Sequence, residues 1–158
     1  MYILDASALI DLWDNYPITN PVFKSLWGKF KENIDEEIFV ISSVALDEAK
    51  KKIDQIEFTQ IVENITVYKK EAVDLEEAIT IKNLLDIQEE GYGSGVGEND
   101  IFIIVIAKRT NSILITNEKR QPSLKQQKRS YKIPTVCNLS EVGVRNINLL
   151  ELLRLDLW

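Results

Sequence analysis

The chain has 158 residues, 45% of them hydrophobic, and its 19 basic and 25 acidic residues give a net charge of −6. With no histidine and one cysteine, Cys137, it cannot build a histidine-dependent catalytic site, a histidine- or cysteine-based zinc site, or an internal disulfide framework. No apolar run reaches the ~18–20 residues of a membrane span. These features predict a single domain over residues 1–158 in a cytoplasmic protein with no membrane partner, in which any hydrolytic chemistry depends on carboxylates holding a hard cation.

The N-terminal part of the chain alternates short apolar runs with helical patterns. "YILD", residues 2–5, predicts a buried strand, and a helix is expected from about Ser7 to a break near Pro17. "IFVIS", residues 38–42, predicts a second strand, which leads into a helix at "SVALDEAKKKI". Strands separated by helices indicate an α/β fold.

Two further segments are predicted to be helices from the spacing of their apolar residues. The apolar face of "PVFKSLWGKFKENI" runs through Val22, Leu26, Trp27 and Phe30. In "AVDLEEAITIKNLLDIQEE" the residues near one face are Leu75, Ala78, Ile81 and Leu85.

The segment "GYGSGVGEND", residues 91–100, places four glycines at alternate positions. This density suggests a phosphate-binding loop, but the spacing does not match G-x-G-x-x-G, and no lysine occurs between Lys82 and Lys108 to complete a P-loop. The loop also follows a predicted helix, whereas both phosphate motifs follow a strand. A nucleotide-binding loop is therefore excluded.

The C-terminal part contains one ambiguous element. "DIFIIVIAKR", residues 100–109, has the β-branched content of a strand, which could form a hairpin with the strand predicted at "ILIT", residues 113–116, and its periodicity fits a buried helix equally well. "TVCNL", residues 135–139, predicts a further strand, and "NLLELLRL" a closing helix.

Several acidic residues follow the predicted strands. In a parallel sheet covered on both faces, ligands gather at the carboxyl ends of the strands, where a strongly negative pocket would form from Asp5, Glu48, Asp100 and Glu118. Crowded carboxylates resist ionising together unless a cation lies among them.

Each of these acids also has an ordinary structural explanation. Asp5 could cap the first helix, and Asp100 could be a first-turn acid favoured by the helix dipole. Glu48 could be a solvated helix residue, and Glu118 a loop charge. A structural or solvated role is expected for Glu98, Asp11 and Asp47.

A basic run lies immediately after Glu118. Residues 119–132, "KRQPSLKQQKRSYK", hold six basic residues and no acid. Such a run is either a solvated loop or a phosphate-binding flank of the acidic pocket.

Four segments together resemble the motifs of the PIN-domain nucleases. "ILDASALIDL" (3–12) is similar to the family's opening strand, aspartate and helix, and "SSVALDEA" (42–49) to its second motif. "DIFIIVIA" (100–107) is similar to the third, an aspartate that opens a helix, and "ILITNEK" (113–119) to the fourth, a strand ending in Thr-x-acid. The VapC-type toxin ribonucleases are members, and the C-terminal segment resembles a related, mostly uncharacterised prokaryotic branch.

The resemblance implies a three-layer α/β/α sandwich with a central, mainly parallel sheet, and hence a helix at residues 100–109. It implies that one or two Mg²⁺ or Mn²⁺ ions are bound by Asp5, Glu48, Asp100 and Glu118, with Ser7 and Thr116 as supporting hydroxyls. The glycine loop would then give the chain freedom to place Asp100. Two departures are Glu118, where aspartate is commoner, and the length of the glycine loop.

The function that the resemblance implies is metal-dependent endoribonuclease activity, as the toxin of a toxin–antitoxin pair that is often dimeric. The expected partners are RNA, an antitoxin protein and a second copy of the chain. The basic residues expected to contact RNA are Lys119, Arg120, Lys125, Lys128 and Arg129. The alternative function is a catalytically inactive PIN-like module that binds RNA or protein.

Overall fold

A five-stranded parallel sheet forms the centre of the fold in the computed structural model, which describes all residues from Met1 to Trp158. The strands are β1 (Tyr2–Leu4), β2 (Phe39–Ser42), β3 (Thr66–Tyr68), β4 (Ile113–Ile115) and β5 (Asn146–Ile147). Their order across the sheet is β3-β2-β1-β4-β5, and every neighbouring pair is parallel. The predicted α/β class is confirmed.

Helices connect the strands and flank the sheet. They are α1 (Ala6–Asn15), α2 (Lys24–Asp35), α3 (Ser43–Lys52), α4 (Ile56–Ile61), α5 (Ala72–Leu84), α6 (Glu98–Arg109), α7 (Ile133–Cys137) and α8 (Leu149–Leu152). The helix α6 packs against α3, α5, α7 and β4, while α1 packs against α3 and α8. None of the helices combines the length and apolar composition needed to span a membrane.

The chain changes direction across the sheet between β1 and β4. From β1 it proceeds through β2 to β3 at one edge, then returns past β1 to form β4 and β5 on the other side. Leu4 of β1 is level with Ile115 of β4, and the Asp5 N–H donates to the carbonyl oxygen of Ile115 at 2.9 Å. Connections that leave neighbouring strands in opposite directions open a crevice at their carboxyl ends, which is the usual ligand site of such sheets.

The ambiguous segment at residues 100–109 is helical, as predicted. All seven residues from Ile101 to Ala107 are buried in α6, which explains why the segment lacks an amphipathic pattern. The helix begins at Glu98, so Asp100 is its third residue rather than its first.

The strand predicted at residues 135–139 is wrong. Residues Ile133–Cys137 form α7, and Pro134 lies in its first turn, where its fixed φ suits a helix start. The fifth strand is Asn146–Ile147, and with only two residues it is too short to produce an alternating pattern. The strand β3 and the helix α4 were also not anticipated.

Two predicted apolar faces are only partly buried. Trp27 and Phe30 lie in the core, but Val22 is 79% exposed because it belongs to a 3-10 turn that precedes α2. On α5, Ala78 and Ile81 are buried, while Leu75 is 54% exposed.

The glycine loop packs directly on the backbone of the basic run. A Cβ on Gly93 would lie 2.5 Å from the carbonyl oxygen of Arg129, and one on Gly95 would overlap the carbonyl oxygen of Tyr131. The Gly95 N–H donates to the Arg129 oxygen at 3.3 Å, and the Val96 N–H to the Tyr131 oxygen at 2.9 Å. Close approach of two backbones therefore accounts for the two central glycines.

We predict that Gly95→Ala destabilises the protein by about 1–3 kcal/mol, the usual cost of overpacking, because backbone atoms of the basic run must shift to admit the methyl group. Urea unfolding followed by tryptophan fluorescence measures the change.

Gly28→Ala is the matched control. Gly28 lies inside α2 with no atom near the position of an added Cβ, so alanine there should raise stability by up to ~1 kcal/mol through helix propensity. Equal effects at the two sites would show that the backbone contact does not constrain residue 95.

Candidate active site

The Asp5 carboxylate is buried at the carboxyl end of β1 and is held through one of its two oxygens. Oδ2 accepts hydrogen bonds from the Ser7 hydroxyl at 2.5 Å and the Thr116 hydroxyl at 2.9 Å. Each hydroxyl is oriented in turn by the loop after β4, since Ser7 accepts the Asn117 N–H at 3.0 Å and Thr116 accepts the Glu118 N–H at 3.3 Å. Oδ1 of Asp5 makes no hydrogen bond within the chain, so one oxygen stays available to a ligand.

Asp5 could cap α1 or belong to the acidic group, and its hydrogen bonds distinguish these two roles. The residue occupies the N-cap position of α1, but its side chain makes no capping hydrogen bond. The residue is only 4% exposed, and desolvation by burial raises the pKa of its carboxyl above the ordinary value, with further contributions from the charges of Glu118 and Glu48.

Asp100, like Asp5, is held through only one of its two carboxylate oxygens. Its Oδ2 accepts the Gly97 N–H at 2.7 Å at the start of α6, which leaves Oδ1 without a partner in the chain. Burial raises its pKa from 3.8 to about 6, and the charges of Glu118, Asp5 and Glu48 add to the shift. Asp100 is thus both the predicted first-turn acid and a member of the acidic group.

Glu118 is tied to the segment that follows the basic run. Its Oε2 accepts the Ile133 N–H at 2.8 Å, and its Oε1 lies 3.6 Å from the ammonium nitrogen of Lys132. The side chain is 23% exposed. Glu48, by contrast, lies on the exposed surface of α3 and makes no side-chain hydrogen bond, although its charge acts on both Asp5 and Asp100.

The structure therefore brings all four predicted acids to one region, which we call the acidic site: Asp5, Glu48, Asp100 and Glu118. Ion pairs reach only one of them, Glu118, so the buried Asp5 and the partly buried Asp100 have no cationic partner. Acidic groups crowded together without a cationic partner have raised pKa values, and a bound cation would relieve their repulsion.

The donor set suits a hard, hydrated cation. Its ligating atoms are carboxylate and hydroxyl oxygens, which match Mg²⁺ and Mn²⁺. No group of three or more acidic or cysteine side chains is arranged to enclose an ion, and Glu118 is already engaged by the Ile133 N–H. Mg²⁺ normally keeps several waters and takes one or two carboxylates directly, so the residues present fit it in hydrated form.

Two open cavities border the acidic site on opposite sides of the switch in strand order. One, of about 380 Å³, shares Thr116 and Glu118 with it and extends toward β5. The other, of about 570 Å³, contains Glu48 and two lysines, Lys51 and Lys70, that were not predicted from the sequence. Their only sequence signal would have been their spacing after β2 and β3, and β3 itself was not predicted.

The basic residues predicted to contact RNA have different environments. Lys119 and Arg120 line the smaller cavity, but Arg120 forms a bidentate ion pair with Glu151 at 2.9 and 2.6 Å. The other three have exposed side chains on the segment 119–132: Lys125, Lys128 and Arg129. This segment is a fixed part of the structure near residues 129–131, where the glycine loop holds it.

Two solved structures share the fold of this chain. The chain is similar to the crystal structure of PAE2754 from Pyrobaculum aerophilum, with a TM-score of 0.53 and 13% identity over 96% of this chain and 92% of that one. It is also similar to VapBC2 from Rickettsia felis, solved bound to a DNA fragment from their promoter, with a TM-score of 0.53 and 17% identity over 93% and 97% of the two chains. At these identities the likeness establishes the fold, which is PIN-like.

The family follows from the sequence. A model described as a domain of unknown function, DUF4411, matches residues 2–158, and the chain belongs to this family. No curated protein matches the chain.

We predict that Asp100→Asn stabilises the metal-free protein at pH 7 and has little effect at pH 4. Asp100 has a higher pKa in the folded than in the unfolded chain, so the folded state binds more protons between about pH 4 and 6 and loses stability as pH rises through that window. The expected gain at pH 7 is on the order of 1–3 kcal/mol.

Urea unfolding of both proteins at several pH values, with EDTA present, measures this difference. Glu98→Gln, which removes an exposed charge from the same first turn, is the control and should not reproduce the pH dependence. A difference that stays constant between pH 4 and 7 would contradict the raised pKa of Asp100.

Proposed function

We propose that this protein is a Mg²⁺- or Mn²⁺-dependent ribonuclease that hydrolyses RNA phosphodiester bonds and acts as the toxin of a toxin–antitoxin pair. The observation that carries the proposal is the buried Asp5 carboxylate, with one oxygen fixed by two hydroxyls and the other free, at the switch in strand order. A hydrated cation there would relieve the repulsion among the acids.

The chain's own residues have distinct roles in this proposal. Asp5 and Asp100 would hold the ion through their free oxygens, because their other oxygens are fixed. Glu48 and Glu118 would contact its waters. A bound Mg²⁺ or Mn²⁺ supplies an activated water and neutralises the charge that develops on the phosphate.

The cationic side chains around the acidic site support an RNA substrate. Lys119 lies on one side and Lys51 and Lys70 on the other, so a strand crossing the site would meet positive charge before and after the acids. Exposed ammonium groups bind phosphates without reading sequence and give salt-dependent affinity. Arg120 contributes less because Glu151 already pairs with it.

An antitoxin partner and a homodimer are part of the same proposal. They rest on the fold shared with VapBC2 and on exposed apolar side chains of α5, which are Val73, Leu75 and Ile79.

The second candidate is an RNA- or protein-binding module without turnover. It is favoured by Glu118, whose carboxylate is occupied by the Ile133 N–H and faces Lys132. If this engagement persists when RNA is bound, the fourth acid cannot assist hydrolysis.

We expect Mn²⁺ and Mg²⁺ to raise the melting temperature of the wild type but not of Asp100→Asn. A ligand that binds only the folded state stabilises it, by ~2.7 kcal/mol at 100 times its dissociation constant. Differential scanning fluorimetry in millimolar metal measures the shift, and Glu98→Gln should behave like the wild type. Equal shifts in all three proteins would place metal binding outside the acidic site.

We expect cleavage of single-stranded RNA to require Mn²⁺ or Mg²⁺ and to fall by at least about 100-fold in Asp5→Asn, since its carboxylate would hold the ion directly. Denaturing electrophoresis of end-labelled RNA measures cleavage, and a filter-binding assay measures affinity. Metal-dependent binding of RNA that is never cut would select the second candidate.

We expect Lys125→Gln with Lys128→Gln to weaken RNA binding equally for different sequences. The slope of log K against log salt should become shallower by about one for each phosphate that the variant no longer neutralises. The metal-induced rise in melting temperature should not change. Lys31→Gln, on the exposed surface of α2, is the control. A variant that binds RNA normally but no longer binds metal would remove the basic run from the RNA site.

A further inference from the structure

The smaller cavity beside the acidic site has a distinctive lining. It opens from Thr116 and Glu118 toward the ends of β4 and β5, and its volume of about 380 Å³ lies within the roughly 300–1,000 Å³ typical of small-ligand pockets. Four of its residues carry side-chain amides: Asn15, Asn117, Asn146 and Asn148.

Hydrogen bonds within the chain orient the side chains of Asn117 and Asn148. The side-chain N–H of Asn117 donates to Oδ2 of Asp11, while its Oδ1 accepts the Leu149 N–H at 2.7 Å. Oδ1 of Asn148 accepts the Glu151 N–H at 2.8 Å and so caps α8. These bonds fix the orientation of the groups before any ligand arrives.

Three of these amides retain unused hydrogen-bonding capacity. Asn15 donates through Nδ2 to Asp11, and its Oδ1 accepts nothing. Asn148 uses Oδ1 for the cap, and its Nδ2 donor has no partner in the chain. Asn146 donates to Oδ1 of Asn138 at 3.0 Å, and its own Oδ1 accepts nothing. The lining residues therefore offer a free donor and free acceptors, and Tyr16 is also among them.

This combination matches one class of ligand. The lining holds two cationic side chains, Lys119 and Arg120, and Arg120 is already paired with Glu151, so a phosphate would account for Lys119 but not for the amides. A nucleobase presents donors and acceptors on its edge and a flat face for stacking, and single-stranded RNA is recognised through these features. Asparagine pairs with such edges because its amide both donates and accepts.

We infer that this cavity is a nucleoside-binding subsite, in which Asn146 and Asn148 select the base next to the phosphate held at the acidic site. The inference rests on the proposed function and assigns its sequence preference to these two residues. Lys119, at the border of the cavity, would contact the phosphate of the same nucleotide.

The test is NMR titration of ¹⁵N-labelled protein, without metal, with the 5′-monophosphates of adenosine, guanosine, cytidine and uridine, and with inorganic phosphate. At least one nucleotide should shift the side-chain amide signals of Asn146 and Asn148, and inorganic phosphate should not. Failure of all four nucleotides to shift these signals, or equal shifts with phosphate, would overturn the inference.

Substitution locates the base contact. Asn148→Ser keeps a capping oxygen for α8 and removes the free donor. It should lower the affinity for the preferred nucleotide by roughly two- to tenfold, which is the contribution of one hydrogen bond. Asn20→Ser is the control, because Asn20 also caps a helical turn through its side-chain oxygen and does not line the cavity. Unchanged affinity in both Asn148→Ser and Asn146→Ser would contradict the assignment.

A separate sample with Mn²⁺ and no nucleotide distinguishes this inference from the proposed function. Paramagnetic broadening of signals near Asp5 and Asp100, without nucleotide-induced shifts, would support the metal site and refute the nucleoside subsite. Nucleotide-induced shifts without broadening would keep the subsite and refute the metal-dependent function.

Discussion

The arrangement of the acidic site depends on one buried carboxylate. Asp5 must remain at the end of β1, where its N–H bonds to β4 and its Oδ2 takes two hydroxyl hydrogen bonds. Because Ser7 comes from the first turn of α1 and Thr116 from the end of β4, the carboxylate joins the two strands that flank the switch in strand order. The same bonds position the backbone that leads to Glu118. The geometry of the site is thus set by the sheet itself.

The glycine loop and the basic run are separate features of the sequence, and the structure joins them. Gly95 and Val96 bond to the backbone of residues 129–131, and the chain then reaches Ile133, whose N–H holds Glu118. The same loop continues through Gly97 into α6 and Asp100. The only sequence signal of this contact, between backbones more than 30 residues apart, is the excess of glycine. The glycines do not show which segment the loop packs against.

How far the sequence predicts this fold depends on how each signal arises. The helix at residues 100–109 is predictable only from the resemblance to the PIN-domain motifs, because its apolar, β-branched composition fits a strand equally well. The prediction for segment 135–139 failed because its valine suggested a strand, while Pro134 and burial against α6 decided for a helix. Asp5 and Glu118 are predictable from strand ends, whereas Glu48 and Asp100 lie within helices and are identified through the resemblance. The hydrogen bonds that occupy one oxygen of Asp5 and one of Asp100 are not predictable, since they depend on side-chain distances.

The acidic site departs from the rule that buried charges are paired. Elsewhere the chain follows it: the buried Asp74 receives Arg109 at 2.8 Å, and the half-exposed Arg120 pairs with Glu151. No such partner reaches Asp5 or Asp100, although Lys132 lies close enough to contact Glu118. A sequence that pairs its buried Asp74 but leaves the buried Asp5 and the partly buried Asp100 without a cationic partner has kept a destabilising feature at one place, which is where a ligand is expected. Missing positive charge, rather than the number of acids, therefore distinguishes this site from the rest of an acidic protein.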